Sequence, residues 1–298
     1  MIVLSLFDGI SCGRIALERA NISVSEYLAS EIDEYAIKVA QHNYPNTVQL
    51  GDINGWRDWS IDWSSIDLIM AGSPCQGFSI VGDMLNFEDE RSKLFFVFYD
   101  ILNHVQAVNP NVLFLLENVK MRREWEGKIT NLLGVEPIHI NSALVSGQTR
   151  NRFYWTNIKG ITQPKDKGIR MIDCLEKYVD EKFYLSERMI AYAMASGTKN
   201  FYCKPEINLE KARPLTTAGL KRAGTTNYVS DDFVNGGDKD RIRQLIPIEE
   251  ERLQTLPEGY TDVGISNTQR RKCIGNGWTV DVIAHILSFI PNKGVEVE

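Results

Sequence analysis

The chain has 298 residues, of which 43% are hydrophobic and 24% are charged, and its formal net charge is −6. This composition indicates a folded globular protein and excludes the disordered and fibrous classes. No apolar run reaches the roughly 18–20 residues of a membrane span, and the N-terminus does not resemble a secretory signal. Five scattered cysteines without a Cys-x-x-Cys pair argue against a disulfide framework or structural zinc, and they favour a reducing cytoplasm.

Short apolar runs alternate with helical patterns in the first half of the chain. The predicted strands are Ile2–Phe7, Glu26–Ser30, Ile66–Ala71 and Val112–Leu116. The predicted helices are Gly13–Ala20, Tyr35–Asn43 and Leu94–Val108. Such alternation predicts a parallel sheet that is covered by helices on both faces.

The sequence changes in character after about Gly160. As far as Val234 it is richer in Thr, Asn, Gly and Lys, and it contains no long apolar strand. Helical patterns return at 246–256, opened by Pro247, and at 279–289. We therefore predict a large domain of residues 1–160 plus 275–298, and a small irregular domain with its connecting segment at residues 161–274.

Charge is unevenly distributed along the chain. Between Lys199 and Arg243 there are nine basic and six acidic residues, which gives this segment +3 and the rest −9. A basic segment is typical of a surface that meets a polyanion, and a solvated loop can have the same composition.

Three features of the first half point to a nucleotide-like ligand. The first strand leads into a glycine-containing turn, Phe7-Asp8-Gly9-Ile10, which lets the backbone approach a ligand but is also a common structural device. Glu31 ends the second strand, where an acidic residue accepts hydrogen bonds from ribose hydroxyls, and Asp52 ends a third. Together they indicate an adenosine-bearing cofactor, without deciding between a dinucleotide and S-adenosylmethionine.

Reactive side chains follow the later strands. Cys75 lies in the turn Gly72-Ser73-Pro74-Cys75-Gln76, at the edge where open α/β sheets bind ligands, although most cysteines are core residues. As a thiolate it would be a nucleophile. Glu117 ends the next buried strand and could donate a proton to a substrate nitrogen. Arg150 and Arg152 alternate in an extended segment, so they should share a face and either hold a substrate or form a surface ion pair.

Taken in chain order, these motifs resemble the ordered motif set of the DNA cytosine-5 methyltransferases. The matching positions are Phe7-Asp8-Gly9, Glu31, Asp52, Gly72-Ser73-Pro74-Cys75, Glu117-Asn118-Val119, Gln148-x-Arg150-x-Arg152 and Gly275-Asn276-Gly277. The segment Arg243–Pro257 resembles the motif that joins the family's two domains, and Arg213-Pro214-Leu215-Thr216-Thr217 resembles its target-recognition core. Cys12, Ser73 and Trp278 are most similar to the animal de novo enzymes, whereas the length fits a stand-alone bacterial or phage enzyme.

The resemblance implies a Rossmann-like class I S-adenosylmethionine-dependent methyltransferase fold with a small irregular target-recognition domain. It implies methyl transfer from S-adenosylmethionine, which becomes S-adenosylhomocysteine, to C5 of a cytosine flipped out of a specific duplex DNA site. No metal and no membrane are expected. The implied partner is double-stranded DNA, a cognate restriction endonuclease is compatible with the family, and a monomer should be the catalytic form.

Residue roles follow from the matching positions. Cys75 is expected to attack C6, Glu117 to contact N3, Arg152 to hold O2, and Arg150 to lie near the substrate or thiolate, with the segment from Gln76 to about Glu88 as a mobile loop. The expected cofactor contacts are Phe7, Asp8, Gly9, Ile10, Glu31, Ile32, Asp52, Ile53, Asn276 and Trp278. The expected DNA contacts are Gln76, Ser79, Arg213, Thr216, Thr217, Lys221 and Arg222.

Three alternatives stay open at this point. A tRNA cytosine-5 methyltransferase would have the same fold, but that branch carries a Cys-Phe-Thr tripeptide, which this sequence lacks. A nicotinamide-dependent oxidoreductase would share the first turn and leave Cys75, Glu117 and the two arginines without a role. A catalytically inactive DNA-binding relative is disfavoured by the presence of Cys75, Glu117 and Arg152.

Overall fold

A computed structural model describes residues 1–73, 90–199, 201–217 and 221–291, with the side chains of 90–92 and 201 left out. Three of the predicted site residues, Cys75, Gln76 and Ser79, lie outside the described residues. The segment 76–88, predicted to be a mobile loop, lies outside them as well.

The predicted strands and helices are present, with bounds shifted by a few residues. The strands of the described chain are β1 (Ile2–Leu6), β2 (Glu26–Ser30), β3 (Val48–Gln49), β4 (Leu68–Ala71), β5 (Leu113–Val119), β6 (Ile138–Asn141), β7 (Asn151–Thr156), β8 (Gly197–Thr198), β9 (Phe201–Tyr202), β10 (Tyr228–Ser230) and β11 (Ile242–Gln244). The α-helices are α1 (Cys12–Arg19), α2 (Glu34–Asn43), α3 (Glu90–Val108), α4 (Arg123–Leu133), α5 (Glu187–Ala193), α6 (Asp231–Asn235), α7 (Pro247–Leu253), α8 (Asn267–Asn276) and α9 (Val280–Leu287). Within the described part of the chain, none of the helices has the length and apolarity of a bilayer span.

The chain forms two compact units. Unit 1 contains Met1–Asn141, Asn151–Pro164 and the chain from Val280 onward, and unit 2 contains Ser142–Arg150 and Lys165–Thr279. These bounds differ from the predicted domains, because residues 142–150 and 275–279 belong to unit 2 and residues 161–164 belong to unit 1. The assignment of target recognition to unit 2 remains a prediction.

The described part of unit 1 is built on a seven-stranded sheet with the strand order β3-β2-β1-β4-β5-β7-β6. Pairs from β3 to β5 are parallel, whereas β7 pairs antiparallel with both β5 and β6. The carboxyl ends of β1, β2, β4 and β5 therefore meet at one edge of the sheet. The direction of winding reverses between β1 and β4, which is where open α/β sheets bind ligands.

Helix packing explains why the central strands are so apolar. All four residues of β4 are buried, as are Phe114 to Leu116 in β5. In α3 the buried residues Phe95, Phe98, Leu102 and Val105 recur three and four residues apart, which forms the apolar stripe of a helix that packs on a sheet. This core supports the strand ends of unit 1, where Phe7, Glu31 and Glu117 lie.

Unit 2 is irregular, with the two-stranded sheets β8–β9 and β10–β11. Its interior contains an ion pair between Arg243 and Glu249, whose side chains are 2% and 0% exposed. Glu249 also accepts hydrogen bonds from the backbone N–H groups of Glu176 and Ile246, both at 2.8 Å. These extra donors explain how the buried carboxylate is tolerated, since a buried charge needs its lone pairs satisfied.

A second acidic residue of α7 is less well satisfied. Glu250 lines a cavity of about 30 Å³ together with Thr216, Asn227 and Arg271. Its Oε1 lies 3.4 Å from Nε of Arg271, and its Oε2 has no hydrogen-bond partner among the described residues. Burial raises the pKa of Glu250 to about 8, and the Arg271 guanidinium offsets only part of this effect.

Glu250 should make the protein less stable as the pH rises from its ordinary pKa of 4.5 towards 8. In that range the folded protein keeps the proton and the unfolded chain releases it, so unfolding becomes more favourable. Glu250→Gln removes the titration. Relative to wild type, the free energy of unfolding of the variant, measured in urea, should increase between pH 5 and pH 8.

Glu258→Gln is the matched control, because Arg252 lowers the pKa of Glu258 instead of raising it. This control should show no such gain between pH 5 and pH 8. The interpretation is wrong if Glu250→Gln and wild type keep a constant difference in stability over that range.

Candidate active site

Strands β5 and β7 bring Glu117 and Arg152 together. In their antiparallel register Glu117 lies opposite Tyr154 and Arg152 lies opposite Val119, so Glu117 and Arg152 are diagonal neighbours on one face. Nε of Arg152 lies 2.7 Å from Oε1 of Glu117, and the two side chains are 15% and 11% exposed. The Nε–H group is not aligned on the carboxylate as a hydrogen bond, while Nη1 donates to the carbonyl of Asn151 at 2.9 Å. The contact is therefore mainly ionic.

This pair lies at the edge of the sheet that the carboxyl ends of the parallel strands share. A guanidinium offers fixed N–H donors to a carbonyl oxygen, and a carboxyl group can share a proton with a ring nitrogen. Because Glu117 and Arg152 are in contact, they can form hydrogen bonds with neighbouring atoms of one planar substrate.

Asn118 connects the end of β5 to the end of β4. Its Nδ2 donates to Oγ of Ser73 at 3.1 Å, and its Oδ1 accepts from the backbone N–H of Val119 at 2.8 Å. Both Asn118 and Ser73 are buried. Asn118 thus belongs to a strand and does not cap a helix. Ser73 is the last described residue before Pro74 and Cys75.

Arg150 is held differently from Arg152. It precedes β7, belongs to unit 2 and is 5% exposed. Its Nη1 donates to the carbonyl of Leu215 at 3.3 Å, and its Nη2 donates to the carbonyls of Gly275 at 3.2 Å and Gly277 at 3.0 Å. These bonds direct the guanidinium to the backbone of unit 2, whereas the alternating pattern predicts a face shared with Arg152.

The turn after β1 is closed by Glu31. Phe7 and Gly9 both have left-handed backbone conformations, with φ of 57° and 60°, and this conformation is strained for a side chain such as that of Phe7. Oε2 of Glu31 accepts from the backbone N–H of Gly9 at 2.8 Å, and Oε1 accepts from those of Ile32 and Asp33, also at 2.8 Å. Glu31, which is predicted to bind the ribose hydroxyls, is thus also the residue that fixes the turn.

Asp8 supports the same turn from inside. Its carboxylate accepts hydrogen bonds from the hydroxyl groups of Ser5 at 2.6 Å, Ser11 at 2.5 Å and Tyr27 at 2.7 Å. Burial raises the pKa of Asp8, and these three donors lower it in part. The Asp8 carboxylate therefore stabilises this turn through hydrogen bonds within unit 1.

The ends of β2 and β3 carry the other predicted cofactor contacts of unit 1. Ile32 is 74% exposed, which is unusual for a large apolar side chain. Asp52 is exposed, and its Oδ1 accepts both the backbone and the side-chain N–H of Asn54, at 2.9 and 2.8 Å. Ile53 is buried, as is Ile10 in the turn after β1. An exposed apolar residue and two carboxylates with remaining lone pairs fit an adenosine, with its purine face, ribose hydroxyls and amino group.

The last two predicted cofactor contacts lie in unit 2. Asn276 is the exposed final residue of α8, and Trp278 is half-buried. Gly275 precedes them at a tight contact, since a Cβ atom there would lie 2.9 Å from the backbone carbon of Thr216.

The predicted DNA contacts of unit 2 differ in their exposure and in their contacts with other side chains. Thr216, Thr217 and Lys221 are exposed. Arg213 forms an ion pair with Glu206, with Nη2 and Oε2 2.9 Å apart. The guanidinium of Arg222 lies 5.7 Å from the ring centre of Tyr192, which is itself 49% exposed. The exposure of Tyr192 could not be predicted, because a tyrosine in a weakly periodic segment gives no sign of being exposed.

Part of the basic excess between residues 199 and 243 serves the structure. Nζ of Lys211 donates to three backbone carbonyls, those of Ala143, Ser146 and Ile169. Arg241 pairs with Glu181 and Arg243 with Glu249. The local charge of +3 therefore overstates the positive charge that is available to bind a polyanion.

Among the described residues there is no group of three or more His, Cys, Asp or Glu side chains arranged to bind a metal.

Comparison with known proteins decides the family. The model of the family "C-5 cytosine-specific DNA methylase" matches residues 1–131 and 141–292. The chain belongs to this family. It is a C5-cytosine DNA methyltransferase, as its motifs predict, and the family uses S-adenosylmethionine as methyl donor.

Known relatives agree with this assignment. The chain is 31% identical to type II methyltransferase M.NgoBI of Neisseria gonorrhoeae, over 94% of this chain and 90% of that one. It is 29% identical to type II methyltransferase M.NlaX of Neisseria lactamica, over 95% and 94%. Its fold is similar to that of the Entamoeba histolytica methyltransferase EhMeth, with a TM-score of 0.76 and 19% identity over 97% of both chains. The predicted methyltransferase fold is therefore confirmed.

A double-mutant cycle should detect the contact between Glu117 and Arg152. Removing either partner leaves the other charge largely buried, whereas removing both does not, so Glu117→Gln and Arg152→Met should be coupled. We expect a coupling free energy of about 1–3 kcal/mol in urea unfolding.

The exposed pair Glu124 and Lys128, one helical turn apart on α4, is the matched control. Its coupling should be at most about 0.5 kcal/mol. Additive effects at Glu117 and Arg152, within the error of that control, would show that the two side chains do not interact.

Proposed function

We propose that this enzyme methylates C5 of a cytosine flipped out of a specific duplex DNA site, through a covalent bond between Cys75 and C6. The observation that supports this proposal best is the contact between Glu117 and Arg152. It joins a carboxyl group and a guanidinium at the ligand-binding edge of the sheet, as recognition of one edge of a cytosine ring requires.

The chemistry explains why the enzyme needs these groups. C5 of cytosine is a poor nucleophile. When the sulfur of Cys75 bonds to C6 and N3 takes up a proton, which the carboxyl group of Glu117 relays from solvent water, the electron pair of the C5–C6 double bond becomes available at C5. Arg152 donates N–H groups to O2 and keeps the ring in this orientation. After C5 is methylated, a base removes the C5 proton, the Cys75–C6 bond breaks and N3 loses its proton, which restores the aromatic ring and the thiolate.

N3 and O2 are neighbouring atoms on the cytosine ring. Glu117 and Arg152 are neighbours too, and each satisfies the charge of the other before the substrate arrives. Such preorganised groups stabilise a transition state effectively, because they need little rearrangement when charge develops.

The methyl donor would be held by the residues at the ends of β1, β2 and β3. S-adenosylmethionine supplies an electrophilic sulfonium methyl group when it is bound. Glu31 would accept hydrogen bonds from the ribose hydroxyls and Asp52 from the adenine amino group, while Phe7 and Ile32 would contact the purine. Asn276 and Trp278 are further proposed contacts, and no protein-bound metal is proposed.

The relatives support the proposed DNA partner and its companion enzyme. M.NgoBI and M.NlaX are named type II methyltransferases, and this supports duplex DNA over tRNA as substrate and a cognate restriction endonuclease as a companion. We propose that unit 2 reads the target sequence, with Thr216 and Thr217 beside the strand from which the cytosine is flipped out. The catalytic form is proposed to be a monomer.

Cys75→Ala should abolish methylation, because no other thiol is expected to replace the nucleophile. We expect methyl transfer from labelled S-adenosylmethionine to DNA to fall by at least about 10³-fold. Wild type should also form a covalent complex with DNA that contains 5-fluorocytosine at the target position, since fluorine blocks the final elimination.

Cys174→Ala is the control, because its thiol is buried and burial raises the pKa of Cys174. This control should stay within about twofold of the wild-type rate, since it does not touch the reacting groups. Methylation of DNA by Cys75→Ala at the wild-type rate would disprove the nucleophile. Methylation of tRNA but not of DNA would disprove the substrate.

A further inference from the structure

The segment that precedes β7 forms a buried polar cluster inside unit 2. Gln148 is fully buried, and its Oε1 accepts from the backbone N–H of Leu215 at 2.8 Å. Its Nε2 donates to the carbonyl of Leu253 and to Oε1 of Gln254, both at 3.1 Å. The backbone of the same segment pairs with Ala212, which donates to the carbonyl of Gly147 at 2.7 Å and accepts from Thr149 at 2.8 Å.

Arg150 adds three hydrogen bonds from the same segment. As described above, its guanidinium reaches the carbonyl of Leu215 and those of Gly275 and Gly277. One rigid planar group thus holds two separate pieces of backbone, the proposed recognition segment 213–217 and the C-terminal end of α8 at residues 275–277. A guanidinium suits this task, because its donors are fixed in one plane and it stays charged at any relevant pH.

Gly275 shows how closely these two pieces approach. A Cβ atom at this position would lie 2.9 and 3.0 Å from the backbone carbon and oxygen of Thr216, and 3.2 Å from the backbone nitrogen of Thr217. These are backbone atoms, which cannot rotate away as a side chain would. The exposed side chains of Thr216 and Thr217 are therefore carried by a backbone that is held from both sides.

We infer that Gln148 and Arg150 are positioning residues for target recognition, which act on DNA through the backbone of residues 213–217. This inference rests on the proposed function of unit 2. It gives the first two polar positions of the Gln-x-Arg-x-Arg motif a different task from the third. Arg152 acts at the reacting base, whereas Gln148 and Arg150 fix the segment that meets the DNA.

The test compares Arg150→Lys and Gly275→Ala with wild type in steady-state methylation of a cognate duplex. The cognate site is first found by bisulfite sequencing of DNA from cells that express the full chain. Arg150→Lys keeps the charge but loses the fork of donors, and Gly275→Ala displaces the same backbone while Arg150 stays. In both variants KM for DNA should rise about tenfold or more, the size expected for one charge-assisted hydrogen bond, with kcat within about threefold of wild type.

A second readout separates positioning from mere stabilisation. Both variants should discriminate less well between the cognate duplex and duplexes with one altered base pair, as judged by the ratio of kcat/KM. Arg188→Lys, on the exposed face of α5, and Gly127→Ala, where a Cβ would meet nothing within 4 Å, are the controls and should match wild type.

Two outcomes would overturn the inference. A fall in kcat and in the rate of 5-fluorocytosine trapping with unchanged KM, seen in Arg150→Lys alone, would place Arg150 at the reacting groups. A lower melting temperature in both variants with unchanged KM, kcat and discrimination would make the cluster purely structural. If wild type methylates no DNA at all, the proposed function itself has failed, which is a distinguishable result.

Discussion

The antiparallel pairing of β5 with β7 is the constraint on which the rest of the proposed chemistry depends. Most of the sheet is parallel, so its strand ends supply loops and polar residues at one edge. An antiparallel neighbour brings the beginning of a strand to that same edge. Glu117, late in β5, therefore meets Arg152, early in β7, as a diagonal neighbour 2.7 Å away. A shift of the register by one residue would turn one of these side chains to the opposite face of the sheet.

Much of unit 1 could be predicted from the sequence, because its signals are local. Apolar runs bounded by turns indicate strands wherever they occur, and Phe95, Phe98 and Leu102 show the spacing of a packed helix. Glu31 and Glu117 could be singled out because each follows such a run. The pairing of β7 is different, since a sequence pattern does not say whether a strand runs parallel or antiparallel to its neighbour. For that reason the contact between Glu117 and Arg152 appears only in the structure, although both residues could be named beforehand.

The charged residues show where sequence reasoning stops. Alternation in an extended segment predicts a common task for Arg150 and Arg152, but β7 begins between them, and Arg150 donates to backbone carbonyls of unit 2. Lys211 and Arg243 likewise contribute to the positive charge of their segment while their cationic groups are bound within the protein. Charge can be counted from a sequence, whereas the partner that neutralises it depends on tertiary contacts. Asp8 is a related case, since its carboxylate is bound by three hydroxyl groups of its own unit.

The most direct test of this account is exchange of the C5 hydrogen of cytosine with water, because it reports addition at C6 without methyl transfer. Wild type incubated without a methyl donor, with cognate DNA tritiated at C5, should release tritium into the solvent. Glu117→Gln should release it about 10²–10⁴ times more slowly, since the proton for N3 is missing. Exchange by Glu117→Gln at the wild-type rate would contradict the role assigned to Glu117.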